Sequence, residues 1–194
     1  MSQKQRFFRE FEECMSGIVE KRGFFTAEDL KVLWTEGRLT WFLDLDIINF
    51  SKSSKKGSEW KRKFIEDRRK IISVLIHIEW ENWDEFDEIF TREIPYGKYR
   101  QRDKQMPFHH EDLWFLIPKC QSGFMETQRL FLPFRIKQQL ETQRMTGQDV
   151  LPFPKEDDQV IGHGIGGEVH RRAIPPAYYQ EFDGKFSTVS LSRI

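Results

Sequence analysis

The chain has 194 residues, 38% of them apolar and 14% aromatic, with 18 Phe and 6 Trp, which is enough bulk for a core and excludes wholesale disorder. Its 31 basic and 31 acidic residues cancel, which argues against a general nucleic-acid or membrane-surface binder. Its two cysteines, Cys14 and Cys120, exclude a disulfide framework and a cysteine-built zinc site.

The first segment, MSQKQRFFREFEE, is charged where a signal peptide needs an apolar stretch. No apolar run approaches the ~20 residues of a membrane-spanning helix. The densest, Ile71 to Ile78, contains Ser73 and His77. With so few cysteines, an intracellular location, cytoplasmic or nuclear, is expected.

In chain order, a helix is expected from about Gln3 to Lys21. Phe7, Phe8, Phe11, Cys14, Met15, Ile18 and Val19 form its apolar stripe, and Gly23 ends it. Thr26 and Asp29 resemble a capping box. The helix behind them carries Leu30, Leu33 and Trp34 and is expected to stop at Gly37. Leu39 to Phe50 is compatible with helix or strand. Ser51 to Ser58 is a polar loop. A long helix is expected from Glu59 to Trp80, with Trp60, Phe64, Ile71, Ile72, Leu75 and Ile76 on its buried face.

Asn82 is placed to cap a short helix carrying Trp83, Phe86, Ile89 and Phe90. Pro95 to Pro107 reads as a loop of exposed charge. His109 to Ile117 reads as a helix broken by Pro118, and Ser122 opens another. Pro133 breaks that one, and Phe134 to Arg144 resumes it. After Gly147 the texture changes to Pro, Gly and short β-type runs. A domain boundary is therefore expected near residues 147 to 152.

The segment with chemical content is Ile161-Gly162-His163-Gly164-Ile165-Gly166-Gly167-Glu168-Val169. It fits G-x-G-x-x-G-x-V, a loop whose backbone N–H groups approach phosphate oxygens where no Cβ intervenes. The apolar residue before the glycines and Val169 after them would roof an adenine ring. A dinucleotide-binding fingerprint leads into a helix instead. Pro175 and Pro176 leave no room for one, so a β-hairpin is favoured.

These residues, with Leu151-Pro152-Phe153 before them and Ile174-Pro175-Pro176-Ala177-Tyr178-Tyr179 after, resemble a group of fungal serine/threonine kinase-like proteins. The resemblance covers roughly the last quarter of the chain. It implies a helical N-terminal region followed by the first strands of a kinase small lobe, with ATP at Ile161 to Gly167 and Val169. Two departures weaken that site. Gly166 stands where kinases usually carry an aromatic residue. Val189 to Ile194 aligns with the third strand, but Ser192 replaces the lysine that pairs the α- and β-phosphates, and alternation puts Arg193 on the other face. No His-Arg-Asp or Asp-Phe-Gly motif occurs in these residues, so the chain reads as a truncated kinase-like sequence, inactive by itself.

Three other groups compete for a role. His109-His110-Glu111-Asp112 offers metal-ligand side chains, but adjacent helical residues diverge by about 100°, which favours a polar helix start. Asp44 and Asp46 lack a nucleophile or metal partner and read as solvated or capping. Lys52 to Lys70 is basic and Glu79 to Glu93 acidic; facing one another or solvent is the simpler account.

The expected architecture is mainly α: a helical region over residues 1–150, then an incomplete kinase domain over residues 151–194 with a short β-hairpin. Weak or vestigial ATP binding is expected, with no catalytic residues and no metal. The alternative is a helical interaction module, binding a protein partner, with a vestigial kinase-like tail. No membrane or nucleic-acid partner is expected.

Overall fold

The computed structural model describes residues 1–50, 57–91, 93–94, 97–100, 102–133, 136–137, 150, 159–164, 167–172, 179–180 and 189–192; the strands are described by their backbone pairing. The chain is mainly helical. Helix α1 spans Gln3–Arg22. Ser2 Oγ accepts the Gln5 N–H at 3.1 Å and Gln5 Oε1 accepts the Ser2 N–H at 2.9 Å, closing its start. Gly23, at φ 82, closes its end in the left-handed conformation that glycine adopts without a Cβ clash.

Helix α2 spans Ala27–Leu33, with the capping box expected at Thr26 and Asp29. Asp29 Oδ2 also accepts from Arg22 at 3.2 Å, tying the end of α1 to the start of α2. Gly37 does not stop this helix. Thr35 Oγ1 accepts the Arg38 N–H at 3.3 Å and starts a new helix, α3, over Glu36–Asp44, with Gly37 in its first turn. Capping outweighs one glycine in a first turn, and Leu39 and Phe42 are thereby buried. The stretch compatible with helix or strand is thus helical to Asp44. Of the polar loop, residues 51–56 lie outside the described residues.

The expected long helix is broken. Helix α4 spans Ser58–Glu66 and helix α5 spans Arg69–His77. The break falls at Arg68, with φ −133 and ψ 20. Its cause is remote in sequence: Asp103 accepts the N–H groups of Lys70 at 2.8 Å and Ile71 at 3.0 Å. The Asp103 N–H donates to Asp67 O at 2.9 Å. Pro95 to Pro107 is therefore not a uniformly exposed charged loop, because Met106 is buried and Asp103 points inward to α5.

After α5, Asn82 precedes a 3-10 turn over Trp83–Glu85, without a side-chain cap bond, and helix α6 follows over Phe86–Thr91. Strands β1 (Glu93–Ile94) and β2 (Gly97–Arg100) pair antiparallel. Helix α7 spans His110–Leu116 and helix α8 spans Gln121–Gln128. The buried Gln128 amide exchanges two 2.9 Å hydrogen bonds with the backbone of Phe108 and so joins α8 to the segment before α7.

Aromatic side chains weld these helices into one core. Phe7 and Phe11 of α1 meet Trp41, Phe42 and Trp34 at centroid distances of 5.0 to 5.5 Å. Phe25 stacks on Phe131 at 4.3 Å, and Phe25 N–H donates to Leu130 O at 2.7 Å, so the α1–α2 junction is closed by the last helical turn. Ser73, which interrupts the densest apolar run, is satisfied inside. It accepts from Trp34 Nε1 at 2.9 Å and donates to Arg69 O at 2.7 Å.

Beyond Pro133 the expected helix Phe134 to Arg144 is described only at Ile136 and Lys137. These form strand β3 and not helix, pairing in parallel with strand β6, Tyr179–Gln180. Cross-strand pairing overrides the helical spacing read there. Gly147 lies outside the described residues, as does the expected boundary apart from Val150. Strands β4 (Gln159–Gly164), β5 (Gly167–Arg172) and β7 (Val189–Ser192) make an antiparallel sheet in the order β4-β5-β7.

Candidate functional site

The glycine-bearing segment occupies the ends of β4 and β5. Gly164 lies opposite Gly167, His163 opposite Glu168, and Gly162 opposite Val169. Ile161 falls at a register shift between Val160 and Gly162. Such bulges re-aim a strand and are common beside binding sites. Ile165 and Gly166, at the turn, lie outside the described residues, as do Leu151-Pro152-Phe153, Pro175, Pro176 and Arg193.

Residues directly opposite in neighbouring strands share a face. Val169 pairs with Gly162 on one side and with Ser192 on the other. Gly162, Val169 and Ser192 therefore form one row across the three strands, and Gly164 and Gly167 lie one step nearer the turn on that face. Positions without a Cβ leave the backbone approachable there. Leu191, opposite His170, belongs to the other face.

The helical region holds two buried electrostatic arrangements. In the first, Arg68 is 2% exposed, and its guanidinium donates to Phe64 O at 3.1 Å and Phe90 O at 3.3 Å. It lies 3.8 Å from the Phe64 ring centroid. One cation thus closes the C-terminal ends of α4 and α6. Burial pulls Arg68 down to about 10, opposed by Asp67, Asp103 and Asp87. Burial pushes the Asp103 carboxyl up to about 6 against the two backbone N–H groups that it caps.

In the second, His77 Nδ1 lies 2.9 Å from Glu12 Oε1 and joins α5 to α1. The Glu12 hydrogen bond raises the His77 pKa above its ordinary value, opposed by partial burial. Ser16 Oγ donates to the same Glu12 oxygen at 3.2 Å, so the serine addresses the carboxylate and not the imidazole. This is a pairing that orients helices, without the nucleophile-to-base contact of a catalytic triad.

The remaining sequence candidates take structural places. Asp112 Oδ2 accepts the His109 N–H at 3.1 Å and starts α7. Among the described residues, no His, Cys, Asp or Glu side chains converge in a metal-holding group. Asp44 is exposed at the end of α3, and Asp46 sits in the turn after it at φ 44. In the basic stretch, Arg62 pairs with Glu36 and Glu66, and Arg69 pairs with Glu66. Among the described residues, no helix is long and apolar enough to cross a membrane.

Sequence reading missed Asp103, Arg68 and the Glu12–His77 pair, because each acts across a separation that periodicity does not see. A charged residue amid the apolar face of a long helix, as at Arg68, was the available signal. Compared with protein-family models, with curated proteins and with solved structures, the chain matches none.

Proposed function

We propose that residues 151–194 are the opening strands of a protein-kinase-like small lobe that binds ATP weakly through its glycine run and, within this chain, transfers no phosphate. The observation that carries the reading is the row Gly162–Val169–Ser192, with Gly164 and Gly167 beside it. A nucleotide laid on that face meets backbone uncovered by any Cβ at Gly162, Gly164 and Gly167, and an apolar residue, Val169, beside it. A cation at position 192 would stand level with them on the third strand, where a kinase carries its phosphate-pairing lysine. Ser192 supplies no charge.

Backbone donors hold the phosphates without the lysine and without metal-binding carboxylates. A charge-assisted contact is worth about 1.5–3 kcal/mol, so lacking the lysine alone lowers affinity roughly ten- to hundredfold. The helical region, in this reading, presents the chain to a protein partner inside the cell.

Calorimetric titration of Mg-ATP into the full chain tests the proposal. Millimolar binding that Gly164→Val abolishes is the expected result. Micromolar affinity, binding indifferent to Gly164→Val, or incorporation of labelled phosphate by this chain would overturn it.

A further inference from the structure

Helix α5 ends in a conformation that its own sequence disfavours. Trp80 N–H donates to Leu75 O at 2.9 Å and Glu79 N–H to Ile76 O at 3.0 Å, the two bonds of a Schellman motif. The residue at the left-handed position is Glu79, at φ 53, where glycine fits without strain. This corner turns Trp80 into the core and leaves the side chains of Glu79 and Glu81 exposed.

Both carboxylates stand at a cleft of about 680 Å³ between α1 and the corner. Its apolar wall is aromatic. Phe8 of α1 stacks on Trp83 at 5.3 Å between centroids, and Trp80 meets Trp83 edge-on at 5.2 Å. Glu12 and Glu13 line the α1 side, opposed by Lys4 and Arg9. Arg9 lies 3.6 Å from Glu13, and Glu12 is engaged by His77. Glu79 and Glu81 have no ion-pair partner among the described residues. With Arg9 at Glu13 and His77 at Glu12, Lys4 is one cation against Glu79 and Glu81, so the cleft combines an apolar wall with a rim of net negative charge.

We infer that this cleft docks a basic amphipathic segment of a partner protein. Its volume lies in the range that encloses a few large side chains, and its wall suits Leu, Met or aromatic anchors. The acceptors at Glu79 and Glu81 complement Lys or Arg flanking those anchors, which favours a basic partner and repels an acidic one. A carboxylate kept at a glycine position fits this role, because glycine would ease the backbone but remove the charge. The inference stands apart from the glycine-run reading and does not depend on nucleotide.

Fluorescence anisotropy with the full chain tests it. The probes are a labelled Lys/Leu amphipathic peptide and a Glu/Leu peptide of equal length. The Lys/Leu peptide binds, more weakly at high salt, and the Glu/Leu peptide binds at least about tenfold more weakly. The double variant Glu79→Gly/Glu81→Lys, which relieves the strained backbone, removes one exposed carboxylate and reverses the charge of the other, lowers Lys/Leu affinity roughly tenfold. Circular dichroism and thermal melting of that variant confirm that it folds. No binding of the Lys/Leu peptide, equal binding of both peptides, or undiminished binding by the folded double variant overturns the inference.

Discussion

The carboxylate of Asp103 accepts the backbone N–H of Lys70 at 2.8 Å and so caps helix α5 from a segment 33 residues away. The same side chain accepts from Ile71, and the Asp103 N–H donates to Asp67 O, so one residue fixes both sides of the α4–α5 break. Arg68, buried between them, depends on nearby acidic charge. Asp103→Ala leaves two helix N–H groups unpaired and is expected to destabilise the chain by about 2 kcal/mol. Urea unfolding at neutral pH measures it. An unchanged midpoint would contradict the capping role.

The pH dependence of that site has a definite sign. Asp103 is raised from 3.8 to about 6 by burial, so the folded chain holds the proton more tightly than the unfolded chain. Its contribution is therefore fully present below 3.8 and is lost as pH rises through about 6. Asp103→Asn should flatten the stability profile over this window. A profile as steep in the variant as in the parent chain would place the titration elsewhere.

His77 acts in a higher window with the same sign. Its pKa is raised from 6.5 by the hydrogen bond to Glu12. The stabilisation is fully present below 6.5 and declines as pH rises through the raised value. His77→Gln or Glu12→Gln should remove this decline, read from thermal midpoints across neutral pH. Equal declines in parent and variants would rule the pair out as its source.

Glu79 supplies a test of backbone strain. Replacing it with Gly should stabilise the fold by about 1 kcal/mol, since the left-handed conformation no longer opposes a Cβ. Glu79→Ala keeps the Cβ and should gain little. Differential melting of the two variants makes the comparison, and a Gly variant no more stable than the Ala variant would show that the corner is unstrained.

Local rules carried the sequence reading as far as their range allows. Gly23 ends α1 and the Thr26–Asp29 box starts α2, because both signals act within one helical turn. The apolar stripe of α1 was legible for the same reason: Phe7, Phe11 and Met15 are buried. The α4–α5 break was not legible, since Asp103 is remote in sequence. Gly37 misled because Thr35 caps a helix that runs past it. For the candidate site, the glycine spacing was visible in sequence, but the row joining Gly162, Val169 and Ser192 exists only through strand register.

That row makes the most direct measurement a gain of affinity. Ser192→Lys places a cation level with Gly162 and Val169, whereas Leu191→Lys places one on the opposite face of β7. Calorimetric titration of Mg-ATP into the parent chain and both variants compares them. Ser192→Lys is expected to tighten binding roughly ten- to hundredfold, and Leu191→Lys to leave it near the parent value. Equal affinities for the two lysine variants, or no gain in either, would contradict the nucleotide-binding reading of this sheet.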